Sequence, residues 1–156
     1  MSLNLLTNPS FESGSLAPWI PSAPNVATVV ASNADYTPYD GDYYLSLRTA
    51  VGNRGNTISQ SLHNLTPGTN YTVSLATRIP APNGANYCSV SAYGGFNATT
   101  GAIVSLFDVP DEWVSLEGWY VSKTAEDRIN FVASCTFSGS SYTGVVLFDE
   151  VYFGDV

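Results

Sequence analysis

The sequence predicts an all-β fold, an antiparallel β-sandwich of jelly-roll type, on three observations. Helical periodicity is absent, 13 glycines and 9 prolines cut the 156 residues into short pieces of strand length, and most of those pieces alternate apolar and polar residues. Many short strands with no helices between them pack as two antiparallel sheets. In chain order the strand-like runs are residues 27–31, 43–48, 57–62, 71–79, 87–93, 102–107, 113–122, 129–137 and 145–153, which makes nine or ten strands. In the run 71–79, Tyr71, Val73, Leu75, Thr77 and Ile79 share one face while Thr72, Ser74, Ala76 and Arg78 share the other. Turn clusters separate the runs, among them Thr66-Pro67-Gly68-Thr69-Asn70, the Pro-Ala-Pro-Asn-Gly stretch at 80–84 and the Ser-Gly-Ser-Ser stretch at 138–141. No repeat, linker or break in composition divides the chain, so residues 1–156 read as a single domain.

Composition excludes whole classes of partner. Lys and Arg number 5 against 13 Asp and Glu, a formal net charge of -8, and the five cations are scattered singly. Nucleic acid is held by clustered cations that displace counterions, and anionic membrane surfaces attract such clusters too, so neither is an expected partner. No apolar stretch approaches the roughly 18 residues of a membrane-spanning helix. Charged residues make up 12% and aromatics 13%, the opposite of a disordered chain. The first residues, Met-Ser-Leu-Asn-Leu-Leu, lack the basic and long apolar regions of a secretory leader, so either the protein stays inside the cell or its leader has been removed.

The only two cysteines, Cys88 and Cys135, are far apart and in no metal-binding spacing. Cys88 shares a face with Val90 and Ala92, and Cys135 with Ile129, Phe131 and Ala133, so both point toward the core. They are either inert buried thiols or a disulfide between neighbouring strands. The disulfide is preferred, because the chain has an extracellular composition. Three glycosylation sequons, at Asn64, Asn70 and Asn97, fit a secreted product.

Catalytic chemistry is hard to find. The single histidine, His63, adjoins a turn, and no nucleophile elbow, phosphate loop or His/Cys metal cluster occurs. The carboxylate pairs Asp111/Glu112, Glu126/Asp127 and Asp149/Glu150 are sequence neighbours whose side chains point to opposite faces of a strand, and the first two are expected to lie solvated at turns. A non-enzymatic role is the expectation.

An ordered series of motifs spans the chain: Asn4-Leu-Leu-Thr-Asn-Pro-Ser-Phe-Glu12 followed by Leu16-Ala-Pro-Trp19; Tyr39-Asp-Gly-Asp-Tyr-Tyr-Leu-Ser-Leu47; Ile58-Ser-Gln-Ser-Leu62; Leu65-Thr-Pro-Gly68 leading to Leu75; Trp113 with Gly118-Trp-Tyr-Val121; and Leu147-Phe-Asp-Glu-Val-Tyr-Phe153. In this order they resemble the carbohydrate-binding modules of the family 4/9/22 group, jelly-roll sandwiches appended to secreted hydrolases or cell-wall proteins. The cysteine pair and the sequons resemble the fungal branch. The resemblance implies a structural Ca²⁺ joining the first and last segments, held by Glu12 and Asp149 with backbone carbonyls from the Asn8/Pro9 region and from near Asp42. Hard Ca²⁺ accepts such a mixture of carboxylates and carbonyls.

Sugars stack their apolar faces on aromatic rings and bond their hydroxyls to amide, carboxylate and guanidinium groups. Trp19, Trp113, Tyr71, Phe131 and Phe148 match positions buried in the family. Trp119 differs, because Tyr120 takes the family's inward position and leaves Trp119 outward on its strand. Arg78 faces away from Val73 and Leu75 and matches a strand that lines the cleft in related modules. The expected ligand-binding residues are Trp119, Arg78 and Tyr87, with Tyr36, Tyr93 and Gln60 behind them, although Gln60 shares a face with Ile58 and Leu62 and is equally readable as a buried amide. Aromatic-rich loops around Tyr39, Tyr43, Phe96 and Tyr142 supply further walls. The expected function is non-catalytic binding of a neutral cell-wall polysaccharide or oligosaccharide, a β-glycan, by a secreted module of a larger parent protein carrying a catalytic domain. The alternative is a structural or adhesive surface domain that binds protein partners without sugar.

Overall fold

The computed structural model describes residues 3–51, 54–80, 85, 87–96, 101–137 and 143–156. The sequon at Asn97, Tyr142, the turn at 138–141 and most of that at 80–84 lie outside the described residues. Ten strands form: β1 (Ile20–Pro21), β2 (Ala27–Ala31), β3 (Tyr43–Arg48), β4 (Asn56–Leu62), β5 (Asn70–Arg78), β6 (Tyr87–Gly94), β7 (Val104–Leu106), β8 (Val114–Val121), β9 (Asp127–Thr136) and β10 (Val145–Asp155). They make two antiparallel five-stranded sheets, β1-β4-β9-β6-β7 and β2-β3-β10-β5-β8, and the described residues contain no helix. The predicted all-β jelly-roll sandwich is the fold observed. Strand β1 has no counterpart among the predicted runs, because two residues carry no period. Its Pro21 is tolerated there because β1 is an edge strand.

Alternation delivers one set of side chains from each sheet into a shared core. Leu45, Leu47, Val73, Leu75, Phe148 and Phe153 come from one sheet and Ile58, Val90, Ile129, Phe131 and Ala133 from the other, all buried. Phe11 and Trp19 close the core from the N-terminal segment, with ring centroids 5.9 Å apart, and Trp19 meets Phe131 edge-on at 6.1 Å. Cys88 and Cys135 face each other across β6 and β9 and form the disulfide.

Two expectations need correction. Trp113 is half-buried rather than part of the core. Asp127 is not solvated at a turn: it opens β9 and is 6% exposed. Asp111 is exposed at a bend, as expected, and its carboxylate also accepts from Arg78 at 2.6 Å.

Candidate functional site

The two outer faces of the sandwich differ. On β2-β3-β10-β5-β8, Tyr44, Leu147 and Ala76 point outward yet are buried, because the segment between β2 and β3 folds over them. Asn33 shapes that segment, its side-chain oxygen accepting the backbone N–H groups of Asp35 and Tyr36 at 2.9 Å each, a local turn that this residue type favours. Trp113 then pins it: the indole N–H donates to the Thr37 carbonyl at 2.9 Å, and the rings of Tyr39 and Tyr44 meet the indole edge-on at 6.2 and 6.3 Å. Arg78 places its guanidinium 5.0 Å from the centre of the Tyr36 ring and donates to the carboxylate and carbonyl of Asp111. Arg78 and Tyr36 are therefore brought together, as a clamp that holds a cover over the sheet. Trp119 stands beyond the cover on edge strand β8, 56% exposed.

The opposite outer face, on β1-β4-β9-β6-β7, carries Ser59 and Ser61 from β4, Arg128, Asn130 and Ser134 from β9, Tyr87, Ser89, Ser91 and Tyr93 from β6 and Ser105 from β7. Register lines up Ser59, Asn130 and Tyr93 in one row across three strands. Short side chains keep this floor low, and they are already ordered. Arg128 donates to the Ser59 hydroxyl at 2.6 Å, the Asn130 amide donates to the carbonyls of Gly95 and Tyr93 at 2.8 and 3.2 Å, and the Ser91 and Ser105 hydroxyls bond at 2.9 Å. Tyr87 and Tyr93 bracket the floor six residues apart on β6, about 20 Å at the usual strand rise. Tyr87 is half exposed, and Phe96 and Phe107 stand highly exposed at the ends of β6 and β7.

Gln60 belongs to neither face. It points inward, 6% exposed, and both its amide atoms bond the Thr7 backbone, accepting at 2.7 Å and donating at 3.0 Å. It ties the N-terminal segment to β4. Sequence reasoning chose Tyr87 and Tyr93 on the open face but passed over Ser59, Ser89, Ser91, Arg128 and Asn130. The alternation of 87–93 that exposed the two tyrosines exposed the serines between them as well.

Of the predicted calcium residues Asp149 lies beneath the cover, while Glu12 and Asp42 are exposed. Asp149 is fully buried, its carboxylate accepting the N–H groups of Asp40 at 3.1 Å and Glu150 at 2.8 Å. Burial pushes its pKa from 3.8 up to about 7, with the charges of Glu150 and Glu12 adding to the rise. Glu150 is raised too, chiefly by burial and then by Asp40. Glu12 accepts the N–H groups of Asp42 and Tyr43 at 2.8 and 2.9 Å, packed against Gly41, whose φ of 73° suits glycine. The Asp42 carbonyl accepts Ser32 N–H at 2.8 Å, the Pro9 carbonyl accepts Val151 N–H at 3.1 Å, and the Asn8 carbonyl accepts the Trp19 indole at 2.9 Å. The fit to Ca²⁺ is therefore one of charge and donor type, the buried Asp149 carboxylate with the exposed Glu12 and partly buried Glu150 near it. Among the described residues no three Asp, Glu, His or Cys side chains converge as ready ligands.

With this geometry in place, the chain can be set beside known proteins. The sequence profile described as "Carbohydrate binding domain" (CBM_4_9) matches residues 3–135. No curated protein sequence matches. The structure of TmCBM61 in complex with β-1,4-galactotriose shares 20% identity at a TM-score of 0.67, over 97% of this chain and 98% of that one. A xylan-binding domain from CBM 22 gives 20% and 0.67, over 97% and 95%. The CBM22-1 and GH10 modules of Clostridium thermocellum xylanase 10B, complexed with xylohexaose, give 14% and 0.66, over 100% of this chain and 29% of that one. At these identities the likeness is one of fold.

Proposed function

The chain belongs to the carbohydrate binding domain family, and on that premise we propose that it binds a neutral cell-wall β-glycan, without catalysis, on the open face of β1-β4-β9-β6-β7. The observation that carries this reading is the contrast between the faces: one is covered by its own loop, and the other keeps the hydroxyls of Ser89 and Ser91 and the Arg128 side chain partly exposed beside Tyr87 and Tyr93. Tyr87 and Tyr93 stack against the apolar sides of sugar rings, while Ser89, Ser91 and Arg128 exchange hydrogen bonds with the hydroxyls between. The span between the tyrosines suits an internal stretch of several sugar units. A shallow wet face gains little from burial, so the expected affinity is on the order of micromolar to millimolar.

Three further parts of the reading go with it. Asp149 and Glu12, with carbonyls of the Asn8/Pro9 region, hold a structural Ca²⁺ whose charge neutralises the buried Asp149 carboxylate. The Cys88–Cys135 disulfide supports residence in an oxidising, extracellular setting. The module serves a larger protein that carries a catalytic domain. Affinity electrophoresis in xylan, β-glucan and β-galactan gels, with pull-down on insoluble cellulose and chitin, tests the binding. Retention lost in Tyr93→Ala supports the open face, and equal retention of Tyr87→Ala, Tyr93→Ala and the parent protein overturns it.

A further inference from the structure

A depression of about 350 Å³ opens where β8 turns into β9, lined by Tyr120, Val121, Lys123, Thr124 and Asp127. We infer that it is a second carbohydrate site, which holds a single or terminal sugar residue with Trp119 as the neighbouring stacking platform. The inference rests on the reading that the chain binds glycans, but it concerns a different part of the molecule.

Asp127 sets the chemistry. Its side chain turns in between the sheets and is 6% exposed, and its carboxylate accepts up to three hydrogen bonds: from the Tyr120 hydroxyl at 2.6 Å, from the Arg128 N–H at 2.8 Å and from the Ser122 hydroxyl at 2.6 Å, whose one proton is shared with the Thr124 carbonyl at 2.7 Å. Among the described residues the ion pairs are His63–Glu126 and Arg78–Asp111, so no cation neutralises it. A carboxylate offers about four acceptor positions, and at least one remains. Around it the depression supplies the complementary donors. Lys123 is exposed and in no ion pair among the described residues, and its ammonium has three N–H groups. The Thr124 hydroxyl donates to the Glu126 carbonyl at 2.6 Å, which leaves its lone pairs to accept.

A ligand that needs donors and acceptors within one small concavity, and carries no charge, matches this set. Lys123 disfavours a metal ion, and Asp127 disfavours an anion. Apolar surface completes the match, since Val121 and Trp119 are 48% and 56% exposed and lie two residues apart on one face of β8, about 7 Å by the strand rise. A sugar whose hydroxyls reach Asp127 and Lys123 can lay its next residue on the Trp119 indole. With the open face on the other sheet, such a module holds two glycan segments at once.

The test is an amide NMR titration of the ¹⁵N-labelled protein with the β-1,4-linked trisaccharides of xylose, glucose and galactose. Amides of residues 121–127 are expected to shift with their own isotherm. Lys123→Ala and Trp119→Ala, both at exposed positions, should each weaken that isotherm at least fivefold while changing that of residues 87–93 less than twofold. Asp127→Asn keeps the shape but loses the acceptor charge, and should abolish the second isotherm with its melting temperature recorded alongside. If residues 87–93 shift and 121–127 stay still with all three sugars, the second site is refuted and the open-face reading stands. If neither shifts, both fail.

Discussion

The outer faces of the two sheets are built by the same period-two rule and end in opposite states. On β10 and β5 the outward residues include Leu147 and Ala76, apolar side chains that need covering, and the segment 33–42 supplies the cover with Tyr36 and Tyr39. On β4, β6 and β9 most outward residues are serine, asparagine or arginine; Ser59 and Asn130 at the centre are buried, while Ser61, Ser89, Ser91 and Arg128 keep exposed or partly exposed surface. Apolar outward positions thus mark the face that the loop covers, and the proposed ligand face is the other. Aromatic residues occur on both, so aromatic content alone does not locate a binding face.

The largest expected effect comes from breaking the cover. Trp113→Ala removes the rib between Tyr39 and Tyr44 and the bond to Thr37. A fully buried Trp costs about 3–5 kcal/mol on truncation, and this half-buried one about 2–3 kcal/mol, visible in denaturant unfolding as a lower midpoint. Glycan retention on the open face should persist while the variant stays folded. Retention lost at full stability would mean that the covered face binds sugar.

Next comes the carboxylate under the cover. Because the folded pKa of Asp149 is raised, the folded state holds its proton more tightly than the unfolded chain does. Without metal, the stability that Asp149 contributes is fully present below the unfolded value of 3.8 and is lost as pH rises toward about 7. Glu150 adds in the same direction. In chelator the melting temperature should therefore fall by several degrees across that window. Millimolar Ca²⁺ should restore it most at the upper end, where Asp149 is ionised, and Asp149→Asn should flatten both curves. A chelator-treated protein with no pH slope and no response to Ca²⁺ would remove the metal from the reading.

On the open face the effects move from stability to binding. Tyr87→Ala and Tyr93→Ala are each expected to lower glycan affinity about tenfold, equivalent to about 1.4 kcal/mol, by isothermal titration, with melting temperature changed by no more than about 2–4 °C. A fall in stability with affinity unchanged would place these rings in the fabric of the sheet.

Much of this was legible in the sequence. Alternation placed nine of the ten strands and faced Cys88 toward Cys135, because period two is a property of single strands. The split between faces was not legible. Arg78 and Tyr87 both read as outward polar or aromatic positions, and only the path of the loop from Asn33 to Asp42 shows that Arg78 lies under a cover. Gln60 likewise shares a period with Ile58 and Leu62, and its partnership with Thr7 spans 53 residues, a contact no local pattern encodes. Asp127 looked like a turn residue beside Glu126, yet strand pairing with Leu62 carries it between the sheets.

The smallest effects form the sharpest pair, because each face has one arginine whose Nε is buried without a hydrogen-bond partner, Arg78 on the covered face and Arg128 on the open one. Arg78 makes a cation–π contact and one ion pair, each worth about 0.5–1 kcal/mol at a partly exposed site. The half-exposed Asp111 weakens the pair through solvent screening, and the unpartnered Nε offsets part of the rest, so Arg78→Ala should cost under about 1 kcal/mol of stability and nothing in glycan affinity. Arg128 donates to Ser59 beside Asn130, where a sugar hydroxyl can also reach it, so Arg128→Ala should weaken binding several-fold at a similarly small cost in stability. Titration and thermal melting of the two variants side by side then separate the faces directly: the same residue type, deleted from the outward side of one sheet or the other, acts on the cover in one case and on the ligand in the other. Equal losses of affinity in both would show that the covered face opens to sugar.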